Sequence, residues 1–195
     1  MSFRKLLLKN PIVKKGIKWF YIRLGSVIGN FIPKVKLSPG VSLSRYFTDN
    51  DLFFGYYDLN PIHNNRLLAH EIRSDLVHLL SIDLETGDFQ NIAKTTAWNY
   101  QQGARLGWCR NNENQVYYNT LSSNSIQTNL VDLENKQRQV FATPLQVAND
   151  NFDSIISVNI AQINKYNPEY GYKIETRDED QLSQNDSQGC GLFLY

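Results

Sequence analysis

Two short segments of the chain carry residue types that suit carbohydrate binding. The candidate ligand residues are Tyr56, Tyr57, Asp58, Trp98, Gln101, Gln102 and Arg105. Aromatic rings stack on sugar rings, amide and carboxylate groups hydrogen-bond hydroxyls, and a guanidinium pairs with a carboxylate or phosphate. We therefore predict a ligand site built from both segments. The alternative is structural, with the tryptophan in the core and the polar side chains bonded to backbone.

No recognisable metal or nucleophile motif accompanies these residues. The spacing of the three histidines, His63, His70 and His78, matches no metal site, and we interpret them as strand residues. Cys109 and Cys190 form no C-x-x-C pair, and we interpret them as reduced thiols. The chain also lacks G-x-S-x-G, G-x-G-x-x-G and P-loop patterns. We predict no metal and no cofactor, and enzymatic activity stays open.

An internal repeat organises the elements that position the candidate residues. A shift of 49 residues aligns residues 64–93 with 113–142 without a gap and brings the acidic turn 82–85 onto 131–134. Turn residues recur about every 8–12 positions, which favours antiparallel β-structure. Units of about 40–50 residues with four short strands are typical of β-propeller blades.

We predict an all-β fold, namely a partial β-propeller of about two four-stranded blades plus one strand, preceded by an N-terminal amphipathic helix. A third unit begins at 191–195, which resembles the strand around 79–82. Because a propeller closes with at least about four blades, we expect the sequence to be a truncated propeller. The candidate ligand residues precede the blades and are expected to converge at one end of the central channel.

The first 48 residues differ from the rest in charge. They hold ten lysines and arginines and no acid, whereas the remaining 147 residues sum to −9. Over 11–32 the apolar residues recur at helical spacing, and Pro33 ends the pattern. The sequence predicts a basic amphipathic helix and linker over 1–48 and an incomplete propeller domain over 49–195.

A basic amphipathic helix with aromatic residues is suited to the headgroup layer of an anionic membrane. The predicted membrane-contact residues are Lys14, Lys15, Lys18, Trp19, Phe20 and Arg23. Packing on its own domain, or binding of a protein partner, remains an alternative, while nucleic acid is disfavoured because the acidic body repels phosphates. With no secretory signal and no apolar run of about 20 residues, we predict a cytoplasmic protein, with a peripheral position on the inner membrane as an option.

The two candidate segments resemble a bacterial β-propeller family. Residues 53–58, followed by Pro61, resemble its opening motif, and 95–108 resemble its T-x-A-W-N-x-Q-Q-G motif. That family is similar to the TolB-like and oligogalacturonate-lyase-type propellers and is found among surface-polysaccharide biosynthesis proteins, often loosely labelled glycosyltransferases. The resemblance covers about 45–195 and implies a propeller fold and an association with polysaccharide. It implies no catalytic residues.

Three functional hypotheses follow. The first is a binding protein of capsule or lipopolysaccharide biosynthesis that recognises a carbohydrate or a protein of that pathway. The second is an enzyme, a lyase or a transferase, acting on acidic sugars through Tyr57, Asp58, Gln102 and Arg105. The third is a scaffold that only binds proteins. The all-β pattern does not supply the α/β nucleotide-sugar site of a glycosyltransferase.

Overall fold

The computed structural model of the protein describes residues 38–55, 58–122 and 125–172, together with the backbone of 192–194. The helix predicted over 11–32 and its membrane-contact residues lie outside the described residues. Within the described part, no helix has the length and apolar character needed to cross a membrane.

The chain divides into two compact units, Met1–Arg45 and Tyr46–Tyr195. Every strand and helix described below belongs to the second unit. This unit is mostly β-structure, arranged in three antiparallel sheets, as the all-β prediction requires. Over the described residues the sheets do not close into a barrel or a ring.

The first sheet is built on a hairpin of β3 (Arg66–Arg73) and β4 (Leu76–Asp83), followed by β5 (Phe89–Thr95). Two short strands, β1 (Leu52–Phe53) and β2 (Ile62–His63), pair with the opposite side of β3. This side of β3 is therefore paired by two separate short strands rather than by one continuous strand.

The second sheet repeats the first. It contains β6 (Gly107–Trp108), β7 (Gln115–Ser122), β8 (Ser125–Asp132) and β9 (Arg138–Phe141), in that order. The bounds of β7 and β8 are those of β3 and β4 displaced by 49 residues. The structural repeat thus follows the sequence repeat.

The same turn closes the last hairpin of both sheets. Two successive backbone amides donate to Asp83 Oδ1 at 2.8 and 2.9 Å, and two donate to Asp132 Oδ1 at 2.9 and 3.0 Å. Gly87 and Lys136 then adopt left-handed backbone, with φ of 78° and 62°. An aspartate side chain that mimics a backbone turn explains why this acidic motif recurs.

The third sheet contains β10 (Leu145–Ala148), β11 (Ile155–Val158) and β12 (Leu192–Leu194). β12 pairs with β11 as β4 pairs with β3, which is the position that the match of 191–195 to the first unit indicated. A helix, α1 (Ile160–Tyr166), follows β11 and is capped by Asn159, whose side chain accepts from the amide three residues on.

The largest core lies between the first two sheets. Leu68 and Leu79 of the first sheet pack in one buried cluster with Val116 and Val131 of the second. Burying each such side chain contributes about 1.5–3 kcal/mol. A second cluster, with Tyr117 and Leu145 among its members, joins the second sheet to the third. These clusters hold the first strands of the three sheets near one another.

Candidate functional site

The two sequence segments meet at His70, in the middle of β3. Its side chain is buried, and Phe53 stacks on the imidazole at 4.8 Å between ring centroids. His70 Nε2 accepts a hydrogen bond from the Ala104 amide at 3.0 Å, which requires a neutral ring. Burial lowers the pKa of His70 to about 4, so that the ring is neutral at pH 7.

Two glycines allow this close approach. A Cβ on Gly103 would lie 2.5 Å from the ring of His70, and φ at this residue is 60°. A Cβ on Gly55 would lie 3.2 Å from the carbonyl oxygen of Gln102. Gly103 is therefore required by its close approach to His70 on β3, and Gly55, with φ of 89°, lies where the first segment packs against the second.

An ion pair also connects the segments. The Arg105 side chain is 1% exposed, and its Nη1 donates to the two carboxylate oxygens of Asp58 at 3.2 and 2.9 Å. Its Nη2 donates to the carbonyl of Gln146. The Asp58 side chain is 39% exposed. Arg105 thus fixes a carboxylate that faces solvent, and its guanidinium is engaged by the protein itself.

The polar residues of the second segment build a turn. Asn99 Oδ1 accepts from the amides of Gln101 and Gln102 at 2.9 and 2.7 Å, while its Nδ2 donates to the carbonyl of Tyr170 at 2.9 Å. Trp98 is buried in the core, 5% exposed. The tryptophan and the asparagine of the W-N-x-Q-Q-G pattern therefore have a structural explanation in this region.

A cavity of about 390 Å³ lies beside Asp58. Three segments form its walls: residues 58–63, residues 107–110 at the end of β6, and residues 147–150 at the end of β10. The rings of His63 and Trp108 lie 5.7 Å apart in its lining, and Trp108 Nε1 donates to the carbonyl of Pro61 at 2.9 Å. The polar lining side chains are Asp58, Asn60, Arg110, Asn149 and Asp150.

The charges at the cavity are mostly compensated. Arg105 balances Asp58 from beneath, and Arg110 lies 3.7 Å from Asp150 in an exposed ion pair. Burial raises the pKa of Tyr117, which also lines the cavity, to about 12, so the phenol stays protonated. The cavity offers carboxylate and amide oxygens together with hydrogen-bond donors.

The structure separates the seven candidate ligand residues. Asp58 lines the cavity, and Arg105 lies behind it. Trp98, Gln101 and Gln102 are not part of the cavity lining. Tyr56 and Tyr57 lie outside the described residues.

Several lining residues were not among the candidates from sequence. They are Asn60, His63, Trp108, Arg110, Asn149 and Asp150. Asn60 lies just before β2, and the others share a position at or just after the short first strand of a sheet. That position becomes recognisable only once the strand order of each sheet is known.

In the part of the chain that the structure describes, no three His, Cys, Asp or Glu side chains are grouped so as to hold a metal ion. Comparisons with known proteins find no matching family model, no similar curated protein and no similar solved structure. The resemblance to the polysaccharide-associated propeller family stays a prediction from the two motifs.

Proposed function

We propose that the protein is a carbohydrate-binding protein of the β-propeller type and that the cavity beside Asp58 holds the sugar. The observation that carries this proposal is a carboxylate fixed by a buried arginine in a cavity that is also lined by the ring of His63, whose Nε2 has no hydrogen-bond partner within the described residues. Sugar sites combine such planar hydrogen-bonding groups with aromatic surface. The volume, about 390 Å³, suits a small ligand.

Preorganisation favours binding at this position. The contacts of Arg105 hold the Asp58 carboxylate in one orientation, so little side-chain entropy is lost when it accepts hydrogen bonds from sugar hydroxyls. Asn60 adds a further amide group, whose Oδ1 also accepts from the Ile62 amide, whereas the Asn149 side chain is bonded to Asp153 and Ser154 in its own loop.

The lining supports a neutral sugar better than an acidic one. The Arg105 guanidinium, which the sequence hypothesis assigned to a uronate carboxylate, is occupied by Asp58 and Gln146. Among the described lining residues Arg110 is the only cation, and it is paired with Asp150. An enzyme acting on acidic sugars therefore has less support at this site.

The propeller assignment is supported by the strand repeat, the antiparallel order of each sheet and the core between the first two sheets. In a propeller the first strand of every blade borders the central channel. The cavity is lined from β2, β6 and β10, the first or interrupted first strand of each sheet. This matches the position of ligand sites at the end of a propeller channel.

We extend the proposal to surface-polysaccharide biosynthesis through the motif resemblance, and to the cytoplasmic face of a membrane through the basic segment 1–48. Sedimentation with anionic vesicles tests the second extension. Replacing Lys14, Lys15 and Lys18 by Glu is expected to abolish most binding, whereas unchanged binding contradicts an electrostatic contribution.

The sugar site is tested by blocking the cavity. Val147 lies on β10, lines the cavity and is 41% exposed, so Val147→Trp fills it without changing the core. Val140, on β9 and 47% exposed, lies outside the cavity and supplies the matched control Val140→Trp. A glycan array first selects a neutral oligosaccharide, and calorimetry then measures its affinity.

We expect Val147→Trp to weaken binding by at least about tenfold, because a bound sugar and the indole compete for one volume, and Val140→Trp to leave affinity within about twofold. Equal affinities for the two variants, or an array on which only uronate-containing glycans bind, contradict the proposal.

A further inference from the structure

A second groove, separate from the cavity beside Asp58, lies between the first two sheets. Its volume is about 500 Å³, and it is lined by the end of β5 and by one face of β7, β8 and β9. Three of its lining residues are cations, Lys94, Lys136 and Arg138, and we call it the basic groove. It shares no lining residue with the first cavity.

The charge of the basic groove is uncompensated. No acidic residue lines it, and none of its three cations forms an ion pair within the described residues. This contrasts with residues 49–195 as a whole, whose formal charge is −9. The three exposed cations give this groove a local positive charge, which favours an anionic ligand.

The floor of the basic groove contains a buried polar group with an unmet hydrogen bond. Asn129, on β8, is 2% exposed, and its Oδ1 has no partner among the residues that the structure describes. Tyr118, its cross-strand neighbour on β7, and Val131 form the apolar part of this floor. A group that fills the groove and carries a hydroxyl would satisfy Asn129.

Asn129 Oδ1 is one of four buried side-chain atoms that lack a partner among the described residues, and it is the one that lies in the basic groove. The opposite face of the same hairpin provides a comparison. Asn119, fully buried on β7, has four hydrogen bonds from its side chain: two with the backbone of Leu145, one with Thr128 and one with Tyr172. The two asparagines are buried to a similar degree, but only the one facing the groove lacks a partner. The difference points to a ligand.

We propose that the basic groove binds a small soluble sugar phosphate or polyol phosphate. The phosphate would accept charge-assisted hydrogen bonds from Lys94, Lys136 and Arg138, and a hydroxyl of the ligand would pair with Asn129. A hydroxyl both donates and accepts, so this pairing holds for either orientation of the amide. The proposal does not depend on the first cavity.

The test is calorimetric titration of the full chain at low salt with glucose 6-phosphate, inorganic phosphate and glucose as probes. The Val147→Trp variant is used throughout, so that sugar bound in the first cavity does not contribute. We expect glucose 6-phosphate to bind at least about tenfold more tightly than inorganic phosphate, and glucose not to bind. Equal binding of the two phosphates, or none, overturns the proposal.

Matched variants locate the site. Lys94→Gln is expected to weaken binding of glucose 6-phosphate about tenfold, whereas Lys165→Gln, an equal charge change on α1, leaves it unchanged. Asn129→Leu is expected to remove the preference for glucose 6-phosphate over phosphate without lowering Tm, because it deletes an unsatisfied group. Equal loss in both lysine variants, or a lower Tm for Asn129→Leu, overturns the assignment.

A lipid headgroup carries the same phosphate chemistry and is distinguished in a separate arm. Vesicles of phosphatidylglycerol are sedimented with the wild-type chain and with Lys94→Gln. Binding to vesicles that depends on Lys94, without binding of soluble glucose 6-phosphate, would overturn the proposal in favour of a membrane surface.

Discussion

His70 and Asn119 occupy equivalent positions, 49 residues apart, in β3 and β7, and both hold the backbone of a segment that follows their hairpin. His70 does so through one hydrogen bond from the Ala104 amide and a ring stacked on Phe53. Asn119 does so through both backbone groups of Leu145. The first repeat thus holds the following segment through a titratable side chain, and the second repeat holds it through a neutral hydrogen-bond network.

The comparison explains how repeated sheets diverge. The segment after the first hairpin carries Gly103, which permits an imidazole to lie against it, while the segment after the second begins β10 directly. A bulky aromatic anchor requires a glycine at its contact, whereas an amide requires complementary backbone groups. The backbone of the segment that follows each hairpin is therefore held by a different kind of side chain in the two repeats.

The largest expected effect comes from removing the Asn119 side chain. Asn119→Ala leaves the Leu145 amide and carbonyl, Thr128 and Tyr172 without their buried partner, and we expect the free energy of unfolding to fall by about 4 kcal/mol. Urea denaturation measures this value. Asn129→Ala, in the same hairpin but without these bonds, is the control and should cost less than half as much. Equal costs would contradict the network.

The next effect is a pH dependence of the protein's stability that arises from His70. Because burial lowers the pKa of His70 to about 4 from 6.5, the unfolded state binds more protons between these values. The contribution of His70 to the free energy of unfolding should be fully present above pH 6.5. It should decrease by about 3 kcal/mol as the pH falls to about 4. Denaturation at a series of pH values measures this decrease.

The variant His70→Asn isolates this effect. In this variant, most of the decrease in stability between pH 6.5 and 4.5 should be absent. Two carboxyl groups, Glu71 and Asp83, have pKa values below their ordinary ones. Burial raises the pKa of Glu71, but hydrogen bonds from Asn50, Thr48 and Arg73 outweigh it and leave the pKa lowered. The amides of Thr86 and Glu85 lower the pKa of Asp83. The same pH profile in the variant would show that His70 is not the group responsible.

The smallest effect concerns Gly103, whose missing side chain leaves room for the His70 ring. Gly103→Ala combines left-handed backbone with a Cβ 2.5 Å from the His70 ring, and we expect a loss of about 2 kcal/mol in thermal or chemical denaturation. Gly40→Ala is the matched control, since φ is also positive there, at 81°, but nothing lies within 4 Å. It should cost about 1 kcal/mol. Equal losses would mean that the His70 contact is not tight.

Strand positions were accessible from sequence because they depend on local chemistry. The turn aspartates, Asp83 and Asp132, accept from amides two and three residues on, and each turn contains a residue with positive φ, Gly87 in one and Lys136 in the other. Such interactions span a few residues, so a 49-residue match between turns aligns the strands that they connect.

The candidate site was only partly accessible. Asp58 and Arg105 were chosen for their residue types, but their ion pair joins positions 47 residues apart and reverses the expected role of the arginine. Trp98 and Gln102 were chosen from the same motif, and the structure places them in the core and in a turn. Residue type alone does not distinguish a side chain that meets a ligand from one that meets the protein.

By itself, the sequence determined the antiparallel β-class, the repeat and the turns, because hydrophobic alternation and turn chemistry act over short distances along the chain. Only the tertiary structure decided that His70 joins the two motifs, that Arg105 is buried beneath Asp58, and that residues 147–150 complete the cavity. These contacts link positions far apart in sequence, and they depend on how whole sheets pack together, which no local pattern encodes.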